Sequence, residues 1–314
     1  MHITKSLAVL GGLLFAGFLT TGSWAATDAK SPAPAPAPAS AADLAAKFPL
    51  RPQYIDVPVL DTVELDKKFS DVYIVDVRSP YEYDTLRIKD AVLIPLTDKN
   101  FVVEVRKLRE KSANKPIVFY CNGKTCRKSY DAVLKAKAAR ISNVVSYDAG
   151  IADWAKSHPE KSMLLGRTPI KVEELLTSAK FKAHLLDPKA FEAKVGPNSI
   201  VLDVRDRVQR DNQLFPFKEQ RAQLEEKGKL DAIIEQAKRD KKTLLVYDAV
   251  GKQVEWFQYY LENKGLTDYF FMKGGAQGHF DAKYGKISFG AKKEAKAETK
   301  ETKPANGAPP PVKN

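Results

Sequence analysis

This chain has very few cysteine and histidine residues for its length. Among its 314 residues are two cysteines and four histidines. Both cysteines, Cys121 and Cys126, lie in one short stretch, so a framework of disulfides cannot hold the fold together, although the two can close on each other in an oxidising compartment. The histidines lie apart, and no third thiol stands near the pair, which argues against zinc. The sequence predicts neither a metal site nor a cofactor.

Apolar runs long enough to span a bilayer are also missing. The longest, residues 7–19, falls short of the roughly 20 residues that a spanning helix needs. It follows Lys5 and precedes Ser23-Trp24-Ala25, a pattern typical of a cleaved secretory signal. We therefore predict a signal peptide over residues 1–25, a periplasmic location and no membrane span after cleavage, with an uncleaved N-terminal anchor as the alternative.

Positive charge is in excess but is not concentrated. The formal net charge is +12, spread along the chain, and no basic stripe is interleaved with aromatic residues. This distribution argues against a nucleic-acid partner. It favours solubility and the attraction of small anions or acidic partners.

Composition divides the chain into five segments. After the signal, residues 26–47 are nearly all Ala, Pro and Ser, which predicts an extended linker. Residues 291–314 are rich in Lys and Glu and then in Pro, and are expected to be disordered. The intervening region is too long for one ordinary domain. We predict two domains, over residues 48–165 and 166–290.

An internal repeat supports this division. The run Ile74-Val75-Asp76-Val77-Arg78 recurs as Val201-Leu202-Asp203-Val204-Arg205, and Ile117-Val118-Phe119-Tyr120-Cys121 recurs as Leu244-Leu245-Val246-Tyr247-Asp248. Asp76 lies 45 residues before Cys121, and Asp203 lies 45 residues before Asp248. Apolar runs with equal spacing in both halves predict a tandem duplication.

Each half alternates short apolar strands with amphipathic helices. The helices are predicted over residues 102–111, 129–139, 224–239 and 253–264. This alternation predicts an α/β fold in which each half is a parallel sheet covered by helices on both faces. Active sites of such sheets lie at the carboxyl ends of strands, where Cys121 and Asp248 fall. Trp256 and Tyr259 have helical spacing and are expected in the core, with an interdomain contact as the alternative.

Cys121 has the sequence surroundings of an ionised sulfur. It ends a predicted strand and stands a few residues before a predicted helix, so backbone N–H groups and the positive end of a helix dipole should face its side chain. Lys124, Arg127 and Lys128 add positive charge nearby. We therefore expect the pKa of the Cys121 thiol to lie below the roughly 8.5 of a free cysteine.

Three segments of the first half resemble the rhodanese family of sulfurtransferases. They are the run from Asp76 to Tyr83, the strand that ends in Cys121, and Tyr147-Asp148-Ala149-Gly150-Ile151-Ala152-Asp153-Trp154. The second half resembles the family more weakly, through Asp203-Val204-Arg205 and Gly274-Gly275-Ala276. The resemblance implies two tandem rhodanese-like domains.

The resemblance also implies an activity and a site. Cys121 would take sulfane sulfur from a donor such as thiosulfate, carry it as a persulfide and pass it to a thiophilic acceptor. The implied partners are a small sulfur-containing anion and an exported protein thiol. The substrate-binding residues would be Asn122, Gly123, Lys124, Thr125, Cys126 and Arg127, with Asp76 and Arg78 in supporting roles. Asp248 cannot form a persulfide, so the second half is predicted to be catalytically silent.

The loop departs from the common family pattern and leaves alternatives open. Arg127 stands six positions after Cys121, as in the related cell-cycle phosphatases and some arsenate reductases of this fold. Cys126 is a candidate resolving thiol, but it is also explained as a small residue at the start of a helix or as half of an inert disulfide. A non-catalytic protein that exchanges thiols and disulfides or binds a partner is therefore the main alternative, ahead of a phosphatase or arsenate reductase.

Overall fold

Two parallel β-sheets form the frame of the chain in a computed structural model, which describes residues 45–210 and 212–285. Both sheets lie in one unit that is defined by its internal contacts. The predicted signal peptide, most of the predicted linker and the predicted tail lie outside the described residues.

The first half contributes six strands and five α-helices to the described residues. The strands are β1 (Tyr73–Asp76), β2 (Leu86–Ile88), β3 (Val92–Leu93), β4 (Ile117–Tyr120), β5 (Val144–Tyr147) and β6 (Ser162–Leu164). The helices are α1 (Thr62–Lys67), α2 (Pro80–Thr85), α3 (Phe101–Lys111), α4 (Lys128–Ala138) and α5 (Gly150–Ser157).

Four of these strands form the first sheet, in the order β3-β1-β4-β5, and all of their pairings are parallel. A parallel bridge from Val59 to Ser146 extends the sheet beyond β5. The remaining strands, β2 and β6, pair with each other in an antiparallel ribbon. Strand β4 is therefore central, and its carboxyl end opens between β1 and β5.

The second half follows the same plan. Its strands are β7 (Leu185–Leu186), β8 (Ser199–Asp203), β9 (Glu219–Arg221), β10 (Thr243–Tyr247) and β11 (Tyr269–Met272). Its helices are α6 (Ser178–Ala183), α7 (Pro188–Ala193), α8 (Lys227–Arg239), α9 (Gln253–Asn263) and α10 (Gly275–Tyr284). Short 3-10 helices in the two halves lie at Arg51–Gln53, Phe69–Asp71, Pro159–Lys161, Val172–Glu174 and Arg207–Gln209.

The second sheet has the order β7-β11-β10-β8-β9, again with parallel pairings. Strands β9, β8, β10 and β11 thus occupy the places of β3, β1, β4 and β5. The registers also agree, because Asp76 lies opposite Tyr120 in the first sheet and Asp203 lies opposite Tyr247 in the second. The predicted boundary between domains at residue 165 stays a prediction.

Each sheet is buried on both faces, because alternate residues of its strands belong to different apolar clusters. In the first sheet, Val118 packs with Trp154 on one face, and Phe119 packs with Phe101 on the other. In the second sheet, successive residues of β10 likewise alternate between two clusters. The predicted α/β class, with parallel sheets covered by helices on both faces, is confirmed.

The predicted helices are found with small shifts at their ends. Helices α3 and α4 each begin one residue earlier than predicted, α9 ends one residue earlier, and α8 begins three residues later. No helix among the described residues has the length and apolar character that crossing a membrane requires.

A buried ion pair joins β1 to the segment that follows it. The guanidinium of Arg78 donates to both carboxylate oxygens of Asp76, with Nη2 2.6 Å from Oδ2 and Nε 2.9 Å from Oδ1. The hydroxyl of Tyr120 donates to the same carboxylate over 2.5 Å and accepts a hydrogen bond from the N–H of Ile88 over 3.2 Å. Because these polar groups are fully buried, each depends on its partners to offset the loss of water.

We predict that Tyr120→Phe lowers the free energy of unfolding by about 1–2 kcal/mol, because the substitution removes one partner from the Asp76 carboxylate and leaves the Ile88 N–H unpaired. Urea denaturation of the two proteins measures the difference. Tyr284→Phe, at a side chain that is 64% exposed, is the control and should leave stability unchanged. Equal midpoints for Tyr120→Phe and the parent protein would contradict the prediction.

Candidate functional site

Cys121 lies directly after β4, at the carboxyl end of the central strand of the first sheet. The loop that begins at Cys121 is held against the start of α5 by two hydrogen bonds. The Cys121 carbonyl accepts from the Ile151 N–H over 2.9 Å, and the Asn122 carbonyl accepts from the Ala152 N–H over 3.2 Å. Gly150 makes this approach possible. Its φ is +68°, and a Cβ there would lie 2.5 Å from the Gly123 nitrogen, so a side chain would force the loop outward.

The two cysteines are joined by a disulfide. The Cys121 side chain is buried, with 1% of its surface exposed, whereas Cys126 is partly exposed. The Cys126 N–H donates to the Gly123 carbonyl over 2.8 Å and closes the turn between them. In this state neither sulfur titrates or acts as a nucleophile, so the chemistry predicted for Cys121 requires the disulfide to be reduced first. The lowered thiol pKa stays a prediction for that reduced state.

The predicted supporting residues, Asp76 and Arg78, are connected to the loop through Asn122. Nη1 of Arg78 donates to Oδ1 of Asn122 over 3.0 Å, while the Asn122 amide donates to Oε1 of Glu82 over 2.7 Å. The Asn122 side chain, next to Cys121, is thus held through both its amide oxygen and its amide nitrogen.

Glu82, which the sequence offers either as a partner of an active-site cation or as a helix cap, also reaches the loop. Its other oxygen, Oε2, accepts from the N–H and hydroxyl of Ser79 in a capping box of α2. Burial raises the pKa of Glu82, but the hydrogen bonds from Asn122 and Ser79, with the nearby charges of Arg78 and Lys128, outweigh it and hold the pKa below its ordinary value. Glu82 therefore stays ionised beside the loop. The capping-box spacing Ser79-x-x-Glu82 was a signal in the sequence, but it did not reveal the contact with Asn122.

The basic side chains of the loop face carboxylates. Nζ of Lys124 lies 2.6 Å from Asp153 of α5, and Nε of Arg127 lies 2.9 Å from Asp131. The Arg127 side chain is 73% exposed. A phosphate-binding Cys-x5-Arg loop needs that guanidinium at the centre of the loop, so this geometry gives no support to a phosphatase. Thr125 is exposed at the tip of the loop.

The corresponding loop of the second half, which begins at Asp248, binds a negative charge through its backbone N–H groups. Asp248, in the place of Cys121, accepts hydrogen bonds from four backbone N–H groups of its own loop. Oδ1 accepts from Val250 and Gly251, and Oδ2 accepts from Gln253 and Val254. Consecutive N–H groups that converge in this way form an anion-binding nest. In the second half this nest is filled by the chain's own carboxylate.

The nest of the first half is not filled in this way. By position, Gly123 and Lys124 correspond to Val250 and Gly251. Within residues 45–210 and 212–285, the N–H groups of Gly123 and Lys124 have no acceptor. They are two backbone donors of the Cys121 loop that stay available to a ligand.

A cavity of about 160 Å³ adjoins the loop at the contact between the two halves. Helix α9 provides one wall of it, where Trp256 lies against Arg78 with 5.1 Å between the guanidinium carbon and the ring centroid. Tyr259 accepts a hydrogen bond from the Leu176 N–H over 3.0 Å. Desolvation, with the charge of Glu82, raises the pKa of Glu255 above its ordinary value, although the residue keeps an exposed surface. The lining residues are Leu86, Asn122, Ile151, Ala152, Lys156, Leu175, Leu176, Glu255, Trp256 and Tyr259.

The sequence only partly anticipated this wall. Tyr259 is buried in the apolar cluster of the first half, as expected for a core residue, and Trp256 packs against the same cluster, so both also lie where the two halves meet. The approach of Glu255 to Glu82 depends on how the halves pack. Among the described residues, no cluster of His, Cys, Asp and Glu side chains has the arrangement of a metal site.

Comparison with known proteins points to one family. A family model for the rhodanese-like domain matches residues 61–157. Over 83 residues the chain is 35% identical to the probable adenylyltransferase/sulfurtransferase MoeZ of Mycobacterium tuberculosis (strain CDC 1551 / Oshkosh), a match that covers 26% of this chain and 20% of MoeZ. The chain thus spans about a fifth of the length of the curated relatives that it matches.

Solved structures with a similar arrangement include two sulfurtransferases. Thiosulfate sulfurtransferase from Pseudomonas aeruginosa is 16% identical, with a TM-score of 0.35 over 72% of this chain and 43% of that one. A human single-domain sulfurtransferase is 19% identical, with a TM-score of 0.26 over 31% of this chain and 95% of that one.

We predict that Asp248→Asn lowers the free energy of unfolding by about 2–3 kcal/mol. The substitution removes the negative charge, and the new amide NH2 group faces backbone N–H groups that can only donate. Chemical denaturation measures the loss. Asp240→Asn, at an exposed aspartate of the same half, is the matched control. Unchanged stability of Asp248→Asn would show that the nest does not need a filled centre.

Proposed function

We propose, from the premise that residues 61–157 are a rhodanese-like domain, that this chain is a sulfurtransferase in which reduced Cys121 carries sulfane sulfur. The main support is the place of Cys121 at the end of β4, in a loop whose counterpart holds a carboxylate with four N–H groups. The same kind of loop, with a thiol in place of the carboxylate, is suited to hold an added sulfur that bears negative charge.

The proposed transfer is a double displacement. The Cys121 thiolate attacks the sulfane sulfur of a donor, a new S–S bond forms at Sγ, and the bond between the sulfane sulfur and the rest of the donor breaks. The leaving group takes the electron pair of that bond. An acceptor nucleophile then attacks the outer sulfur, and the Cys121 thiolate is released. The transferred sulfur keeps its oxidation state, so neither step needs an external oxidant or reductant.

The disulfide suggests a role for Cys126. A Cys126 thiolate that attacks Sγ of a Cys121 persulfide forms the Cys121–Cys126 disulfide and expels hydrosulfide. In this step the Cys126 sulfur is oxidised from the thiol to the disulfide level, the outer sulfur of the persulfide is reduced to sulfide, and Sγ of Cys121 keeps its oxidation level. The next cycle then needs a dithiol reductant, such as an exported protein with a reduced cysteine pair. Cys126 is the resolving thiol in this scheme.

A second candidate function rests on the same disulfide. A buried Cys121 and a partly exposed Cys126 suit thiol–disulfide exchange, because an incoming thiolate reaches the exposed sulfur first. In this alternative the partner is an exported protein thiol, and no sulfur is transferred.

We further propose that the protein acts in the periplasm. This proposal rests on the signal-like composition of residues 1–25, and on a cysteine pair that a reducing cytosol would keep open. Fractionation of cells that express the full chain tests it, with N-terminal sequencing of the mature protein.

Persulfidation of Cys121 is the direct test of the proposed function. The protein is reduced, and the reductant is removed under argon. The protein is then mixed with thiosulfate or an organic persulfide and alkylated, and its intact mass is measured by mass spectrometry. We expect an adduct of one sulfur atom on the Cys126→Ser variant and none on Cys121→Ser. On wild-type protein, we expect the adduct to decay at least about tenfold faster than on Cys126→Ser, because intramolecular attack by Cys126 removes it.

The same samples distinguish the alternatives. Absence of an adduct with every donor, on protein whose Cys121 is shown to be alkylatable, would refute the sulfurtransferase proposal. Rapid exchange of the disulfide with a test dithiol, in the absence of any adduct, would favour the second candidate. A free sulfide signal that appears as the wild-type disulfide reforms would support the role of Cys126.

A further inference from the structure

The charges around the Cys121 loop cancel. Lys124 and Arg127 each contact a carboxylate, Asp153 and Asp131 respectively, at 2.6 and 2.9 Å. Lys128, at the start of α4, lies close enough to Glu82 to lower the pKa of that carboxyl. Lys124 and Arg127 are therefore each paired with a carboxylate, and Glu82 lies near Lys128, so the positive field at the loop mouth is weaker than three unpaired cations would give.

Backbone N–H groups remain as the source of positive potential, and the second half indicates how much charge they hold. There, one carboxylate with one negative charge occupies the nest and takes four N–H donors. A persulfide at Cys121 needs the same donors for its own outer sulfur. Thiosulfate carries two negative charges and releases a doubly charged sulfite, so it brings more charge than the nest accepts.

The adjoining cavity has a different character. Its walls contain one carboxylate, Glu255, and one ammonium group, Lys156, both on exposed residues, together with apolar and aromatic side chains. A carboxylate and an ammonium group in one small cavity complement a zwitterion. The volume of about 160 Å³ is close to that of engineered cavities of about 150 Å³ that hold benzene, which is the size range of a single amino acid.

We propose that the loop and the cavity select an organic persulfide that carries an α-amino acid group, and that they discriminate against inorganic thiosulfate. The organic part lies in the cavity between Glu255 and Lys156, and the sulfane sulfur reaches Cys121 past Asn122. The S–S bond of the donor breaks, the organic thiolate leaves and takes a proton from solvent, and the sulfane sulfur remains on Cys121. This proposal rests on the sulfurtransferase function proposed above and defines its donor.

Competing donors test the selectivity. The Cys126→Ser variant, which keeps Cys121 as a lone thiol, is mixed anaerobically with cysteine persulfide or with thiosulfate at equal concentration. Intact mass gives the rate of persulfide formation with each. We expect cysteine persulfide to react at least about tenfold faster, because thiosulfate brings a second negative charge while Lys124 and Arg127 are already paired with carboxylates.

Substitutions in the same background test the cause. Asp153→Asn frees Lys124, and Asp131→Asn frees Arg127, so each should raise the thiosulfate rate about five- to tenfold and leave the cysteine persulfide rate unchanged. Glu255→Gln should lower the cysteine persulfide rate about fivefold without lowering the thiosulfate rate. Glu104→Gln is the matched control, because it frees Lys107 from a 2.8 Å pair on the surface of α3, and it should change neither rate.

The outcomes separate the two proposals. Equal rates with both donors, or no gain in the thiosulfate rate from either aspartate variant, would overturn the selectivity while the sulfurtransferase function stands. No adduct with either donor on an alkylatable Cys121 would refute the function and the selectivity together. Circular dichroism of each variant verifies folding, and because the two aspartates lie on different helices, either variant alone suffices for the test.

Discussion

The site depends on one buried cation. Arg78 is fully buried in the first half, and a guanidinium in that position is stable only when its donors are paired. Asp76 takes two of its N–H groups, the Leu86 carbonyl takes another, and Asn122 takes a fourth. Strand β1, strand β2 and the Cys121 loop are therefore tied to a single group, and Trp256 of the second half covers it. Removal of any one partner leaves a buried charge unsatisfied, which is why these elements hold a common geometry.

The second half contains the same ion pair but uses it differently. Arg205 donates to Asp203 as Arg78 does to Asp76, yet its remaining donors go to the carbonyls of Gln209 and Asn212. They stabilise the segment after β8, and among the described residues no hydrogen bond joins Arg205 to the Asp248 loop. That loop is held by its own carboxylate instead. The two halves thus share a scaffold interaction, and only in the first half is it connected to the residue beside the cysteine.

Much of this arrangement could be predicted from the sequence, because it is local or repeated. The equal spacing of apolar runs predicted the paired strands, and the apolar periodicity predicted helices that end within a few residues of the observed ends. The contacts that set the chemistry are not local. Lys124 meets Asp153 only because α5 packs against the loop, and Glu255 approaches Glu82 only because α9 packs against α2. A count of basic residues in a loop gives no information about such partners, so the sequence alone could not show that Lys124 and Arg127 are paired.

The disulfide and the neutral charge balance have a common physical consequence. A cysteine at the mouth of a strongly cationic loop would be ionised and open to any oxidant or anion, and in an oxidising compartment it would be lost to irreversible oxidation. Here the sulfur is buried, is bonded to a neighbour five residues away, and is surrounded by paired charges. Under the proposed function, access to the sulfur requires a reductant that reaches the partly exposed Cys126, followed by a donor that fits beside Asn122. Selectivity would then lie in the order of access and in the shape of the cavity, while backbone N–H groups of the loop would bind the added sulfur.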